Sequence, residues 1–167
     1  MGAESEPADR LLLGVVLECK ASRSPWTDHI WQPVGIIVGG LPLAAGTVLR
    51  SGDGWRHCYA GDIELELFRK ETEGYKRNLS SRPPVVYVVM RSTDQAMGMM
   101  PVKVTVCPYE AERYLVSGDE LVEGVPMPDQ VGLFVQEFVA RHHVDEPFRK
   151  RIQRPKHEGG VGGGDVR

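Results

Sequence analysis

The sequence predicts an α+β fold: a mostly antiparallel, twisted sheet or small partial β-barrel of about six strands, with two helices packed on it. Three observations predict it. Apolar residues alternate with polar ones over Leu11–Cys19 and again over Ile63–Leu67, the period of a strand with one wet face. Val85-Val86-Tyr87-Val88-Val89-Met90 is apolar on both faces and rich in β-branched residues, as a central strand is. Val131, Phe134, Val135, Phe138, Val139 and His142 fall at i, i+3, i+4, i+7, i+8 and i+11, a single helical stripe.

Taken in order, residues 1–10 are small and acidic and are expected to be disordered, so the domain runs from 11 to 148. Leu11, Leu13, Val15, Leu17 and Cys19 form the buried face of the first strand. Pro25 opens a loop and Asp28 is placed to close a turn on nearby amides. A second strand follows from Ile30 to Val38, and Pro33, having no N–H for a ladder, assigns it to an edge or a bulge. Residues 39–54 read as a loop with a short extended piece near Thr47–Arg50, closed by the turn signal Gly52-Asp53-Gly54. A hairpin is expected next, with Trp55–Tyr59 turning at Ala60-Gly61-Asp62 into Ile63–Leu67.

Arg69–Leu79 is polar and holds at most one or two helical turns, and Pro83-Pro84 closes it. After the Val85–Met90 strand, Val102, Val104 and Val106 predict another strand with one apolar face. Pro108 pre-sets the first turn of a helix that Gly118 ends. Glu120–Val125 is a short strand or connector. Pro128 and Asp129 start the striped helix, with the acid favourable at its N-terminal dipole, and Pro147 stops it. Residues 149–167 form a basic, glycine-rich flexible tail.

Composition narrows the function classes. A chain of 167 residues with 41% apolar and 26% charged residues is one ordinary globular domain. Its net charge of −3 makes a nucleic-acid partner unlikely on the balance of charge. No apolar run approaches the ~20 residues that span a bilayer, and the N-terminus lacks the features of a signal peptide. Cys19, Cys58 and Cys107 stand far apart without a C-x-x-C pair, as packed thiols in a reducing compartment do, so a cytoplasmic location is expected.

No motif dictates a reaction, and catalytic residues stay unassigned. The Gly35–Gly40 stretch matches neither a P-loop nor G-x-G-x-x-G opening a helix. His142-His143-x-x-Glu146 has the wrong spacing for a zinc helix, so no metal and no cofactor are expected. Trp26, Asp28, His29 and Trp31 are candidate partner-binding residues, because tryptophan is enriched in binding hot spots. His142, His143, Glu146 and Phe148 form a second candidate partner surface. Arg149, Lys150, Arg151, Arg154 and Lys156 are candidates for contacting RNA or an acidic surface.

Several blocks, taken together, carry a family resemblance. They are Pro25–Val34, Glu71–Leu79, Pro108-Tyr109-Glu110-Ala111, Ser117-Gly118-Asp119-Glu120, Val125-Pro126-Met127-Pro128 and Arg141–Phe148. The chain resembles, over roughly residues 11–151, a family of uncharacterised bacterial proteins often encoded beside molybdenum-dependent formate dehydrogenases. Members are sometimes labelled molybdopterin-guanine dinucleotide biosynthesis protein A. The resemblance implies a non-catalytic accessory or maturation factor that binds a formate dehydrogenase subunit or its maturation chaperones. The label implies instead a guanylyltransferase, whose Gly-Gly loop carries a downstream Arg-Met-Gly and a lysine. Here Gly39-Gly40 runs into Leu41-Pro42-Leu43-Ala44-Ala45-Gly46 without them. The accessory role is the favoured expectation, with the guanylyltransferase and a nucleic-acid module using the basic tail as alternatives.

Overall fold

In the computed structural model, residues 6–145 apart from 27 and 96 are described. Seven strands and three helices follow one another as β1 (Asp9–Ala21), β2 (His29–Val38), β3 (Val48–Gly52), β4 (Trp55–Leu67), a 3-10 turn (Arg69–Glu71), α1 (Thr72–Leu79), β5 (Val85–Ser92), β6 (Met99–Thr105), α2 (Pro108–Ser117), β7 (Leu121–Pro126) and α3 (Asp129–His142). The fold is α+β, as the sequence predicts. The strands divide into two antiparallel sheets, ordered β2-β1-β4-β3 and β6-β5-β7, and do not close into a barrel. No helix among the described residues is long and apolar enough to cross a membrane.

β1 is the spine of the larger sheet, pairing with β2 on one side and β4 on the other. It starts at Asp9, inside the stretch expected to be disordered, because Asp9 and Arg10 pair with Leu67 and Glu66. β2 is an edge strand, and its register shifts where Val16 faces Gly35 but Leu17 faces Pro33. Val34 is the extra residue of that bulge, so the proline stands at an edge and a bulge together.

The expected hairpin at Ala60-Gly61-Asp62 does not form. Trp55–Leu67 is one continuous strand, since β1 is long enough to pair with both halves of it. Gly14 faces Asp62 and Val16 faces Tyr59, leaving an extra residue in β4, and Gly61 takes the positive φ of 105° at that bulge. The hairpin lies earlier, where the Asp53-Gly54 turn joins β3 to β4.

Both sheets bury their inner faces in one core. Leu13, Val15 and Leu17 of β1 meet Leu65 and Leu67 of β4, Val86, Val88 and Met90 of β5, and Val104 of β6. β4 lies against β6 and β2 against β7. β5 is central and buried on both faces, since Val89 is as covered as Val88. α3 contributes Val131, Val135 and Phe138 from its predicted stripe, with Phe134 and Val139 packed at the margin. Burying three such side chains is worth several kcal/mol, at about 1.5–3 each. α2 runs from Pro108 to a left-handed Gly118, as expected. α1, eight residues long, is the one or two helical turns expected there, and it packs as a third helix beside the two predicted, its Tyr75 ring edge-on to Phe138.

Candidate functional site

The end of the larger sheet where β1 hands over to β2 is the most chemically distinctive part of the surface. Its hairpin loop is held by serines. The Ser22 amide donates to the Asp28 carbonyl at 3.0 Å, the Ser24 amide to Ser22 Oγ at 3.1 Å, and the Trp26 amide to Ser24 Oγ at 3.3 Å. The turn is therefore closed by the main chain of Asp28 and by the serine hydroxyls. Trp26 projects from this loop with 92% of its surface exposed, and Asp28 and His29 are exposed beside it.

Trp31 behaves differently. It is half-buried and packs against the core. A methyl group at Gly98, in the β5–β6 turn, would stand 3.2 Å from its Nε1, so that turn lies directly over the indole. The two tryptophans do not form one aromatic surface.

Strand register places Cys19, Trp31, Ser51 and Arg56 on the inner face of the sheet, with Ala21 and His29 one step further along. Cys19, Ala21, His29, Ser51 and Arg56 line a groove of about 330 Å³ across the sheet end, together with Gly52, Gly54 and Trp55. The Arg56 guanidinium lies over the Trp31 ring, 5.6 Å from its centre. Burial pushes the Cys19 thiol up, and the nearby Arg56 charge opposes it in part.

The outer face carries a matching arrangement. Arg50 lies over Trp55 at 5.5 Å, and the His57 ring stands 4.8 Å from the same indole. His57 Nε2 is 2.7 Å from Glu18, which also receives Lys20 at 3.0 Å and Gln32 at 3.2 Å. The His57 hydrogen bond, helped by Lys20 and Gln32 against the opposing effect of burial, holds the Glu18 carboxyl below the usual carboxylate range. Arg50, Arg56, Trp55 and His57 were not singled out from the sequence. The Asp53-Gly54 signal could have found them, since pairing outward from that turn sets Arg50 opposite His57 and Gly52 opposite Trp55.

The second predicted partner surface lies elsewhere. His142 continues the apolar stripe, its ring 4.6 Å from Phe138. His143 joins α3 to α1: Nδ1 is 3.0 Å from Thr72 Oγ1, and Nε2 is 2.8 Å from Asp145, which also takes Lys76 at 3.1 Å. Arg141 pairs with Asp9 at 2.9 Å, at the start of β1. The tryptophan loop leaves the other end of that 13-residue strand, roughly 40 Å away at about 3.3 Å per residue. The two predicted surfaces therefore sit at opposite ends of β1. Glu146, Phe148, Arg149, Lys150, Arg151, Arg154 and Lys156 lie outside the described residues.

A further cluster ties β6, α2 and the 3-10 turn before α1 around a cleft of about 370 Å³. Lys103 meets Glu110 at 2.9 Å, Thr105 Oγ1 donates to Glu110 at 2.8 Å and accepts the Cys107 amide at 3.1 Å. Cys107 Sγ donates to Glu71 at 2.9 Å, and Arg113 closes the chain on Glu71 at 3.5 Å. Burial, followed by the Glu71 hydrogen bond, pushes the Cys107 thiol up to about 11. A thiol held protonated is a poor nucleophile, so this network fixes α2 in place instead of activating sulfur. Among the described residues no three His, Cys, Asp or Glu side chains converge on a point where a metal ion could sit.

The glycine loop after β2 is also occupied. The Gly39 amide donates to Leu12 O at 2.8 Å, Gly40 to Ile37 O at 3.3 Å, and Leu41 to the Tyr59 hydroxyl at 2.8 Å. Three successive amides that a phosphate cradle would need are already engaged. Gly40 has φ 69°, and its missing side chain leaves room for Asp62 and the Tyr59 hydroxyl, which are hydrogen-bonded to each other.

The model of a family described as "Protein of unknown function (DUF3305)" matches residues 12–152. No curated protein and no solved structure matches the chain.

Proposed function

Since the chain belongs to the DUF3305 family, whose description assigns no activity, we propose from its geometry that it is a protein-binding accessory factor. It docks its client through the Trp26 end of the larger sheet. The client, which the resemblance to proteins encoded beside such enzymes suggests, is a subunit of a molybdenum-dependent formate dehydrogenase.

The observation that carries this reading is Trp26 itself, 92% exposed on a loop whose backbone is held by serine hydroxyls. Burying an indole removes roughly 200 Å² from water, which at about 25 cal/mol per Å² is about 5 kcal/mol. That is the scale of a central binding hot spot. The guanylyltransferase alternative draws no support from the glycine loop, whose amides at 39–41 are taken by the protein's own acceptors.

Isothermal titration of the purified apo dehydrogenase subunit with wild type and with Trp26→Ala tests the proposal. Because Trp26 touches little, the variant should keep its stability within about 0.5 kcal/mol. Its binding should weaken by about 2 kcal/mol or more, roughly 30-fold. Equal binding by the two proteins, or none by wild type, overturns it.

A further inference from the structure

We propose that the groove beside Trp26 receives acidic side chains of the client segment, with Arg56 as the carboxylate-binding residue. This rests on the docking reading above and names the chemistry of the partner. The Arg56 guanidinium lies over Trp31, 5.6 Å from the ring centre, and Trp31 is itself fixed against the core and the β5–β6 turn. Held against the ring, the Arg56 side chain makes no hydrogen bond to another described residue, so its planar fork is available to bind a carboxylate through two parallel hydrogen bonds. Among the described residues Arg56 has no ion-pair partner, nor do Arg23 and Arg50 at the same end of the sheet.

The surroundings complement a carboxylate. The small side chains of Cys19 and Ala21 share the groove with Arg56, the Ser51 hydroxyl and His29. Glu18 on the outer face is already taken by Lys20, His57 and Gln32, so its charge does not oppose an incoming acid. Lys20, Arg23, Arg50 and Arg56 stand at this end with Glu18, Asp28, Asp53 and, in the β5–β6 turn, Asp94, so the charges here balance and the attraction for an acid comes from the Arg56 guanidinium itself. The volume of about 330 Å³ suits one or two side chains. A long polyanion would meet the unfavourable net charge of the rest of the molecule, which favours an acidic protein segment over nucleic acid.

The test is fluorescence anisotropy on the full chain with three labelled probes: a peptide of alternating glutamate and leucine, its glutamine counterpart, and oligothymidylate. The glutamate peptide should bind at least about ten-fold tighter than the glutamine peptide. That preference should fall to near unity in Arg56→Gln and persist only in part in Arg56→Lys, which keeps the charge without the planar fork. If Arg56→Gln melts early, Arg56→Lys carries the same comparison. Equal binding of the two peptides by wild type overturns the inference. So does a preference unchanged in both variants, or oligothymidylate displacing the acidic peptide. No peptide selectivity in wild type alongside intact Trp26-dependent dehydrogenase binding overturns this inference alone. Intact selectivity without dehydrogenase binding supports it and overturns the choice of client.

Discussion

Asn78 is the residue whose replacement should disturb this protein most per atom removed. It sits in the last turn of α1, 2% exposed, and uses its whole amide. Nδ2 donates to the Val85 carbonyl at 2.7 Å and to the Val106 carbonyl at 2.8 Å, while Oδ1 accepts the Val85 amide at 3.0 Å. One side chain thus ties α1 to the start of β5 and to the segment between β6 and α2. Asn78→Ala strands two carbonyls and one amide. Each costs about 1–3 kcal/mol when buried, toward the lower end for half-buried Val85, so the total is about 3–5 kcal/mol. Against a global stability of about 5–15 kcal/mol that is a large fraction, equivalent to a melting-temperature drop of about 10 °C or more. Asn78→Asp is more informative. It keeps the shape but aims a carboxylate at two carbonyls, which raises its folded pKa above the unfolded value of about 3.9. A raised pKa means the stability is present below the unfolded value and is lost as pH rises through the folded one. Asn78→Asp should therefore be less stable than Asn78→Ala at neutral pH and gain on it in acid. Urea unfolding at neutral pH and near pH 4 measures both. A cost for Asn78→Ala under about 1 kcal/mol, or a neutral-pH Asn78→Asp as stable as wild type, would refute the reasoning.

Two further outcomes follow from the ionisable groups. All three cysteines are buried, and Cys107 titrates near 11, so a disulfide reagent at neutral pH should label native protein slowly and unfolded protein at three equivalents; rapid stoichiometric labelling of native protein contradicts the burial. Glu18, with its folded pKa depressed first by His57, contributes stability above the ordinary carboxylate range and loses it as pH falls through the lower folded value. Glu18→Gln should therefore flatten the acid side of the stability profile, read as urea midpoints from neutral pH into acid; an unchanged profile assigns the acid sensitivity to another group.

Each part of the site was legible only as far as a local signal reached. Trp26 was a candidate from its residue type alone, and its exposure fits a loop opened by Pro25 and bonded by Ser22 and Ser24. Trp31, five residues on, drew the same attention but faces inward, because strand alternation and the β5–β6 turn decide its side. Arg50 and Arg56 carried no signal of their own. They became a pair of stacked guanidiniums only once the hairpin was set at Asp53-Gly54.

By itself, the sequence determined β1, β5, α2, α3 and the irregular proline edge of β2. In each of these the signal is local: an alternation of period 2, a stripe of period 3.6, a proline that cannot donate, a glycine that accepts the left-handed cap at Gly118. Only the tertiary structure decided which glycine turn folds back and which becomes a bulge. Gly52-Asp53-Gly54 and Ala60-Gly61-Asp62 are both acceptable turns, and β1 selects between them by pairing with β4 along its whole length. The same long-range pairing divided the strands into two sheets. It also set Trp26 and His143 at opposite ends of β1, a separation that residues 117 positions apart in the chain could not encode locally (143 − 26).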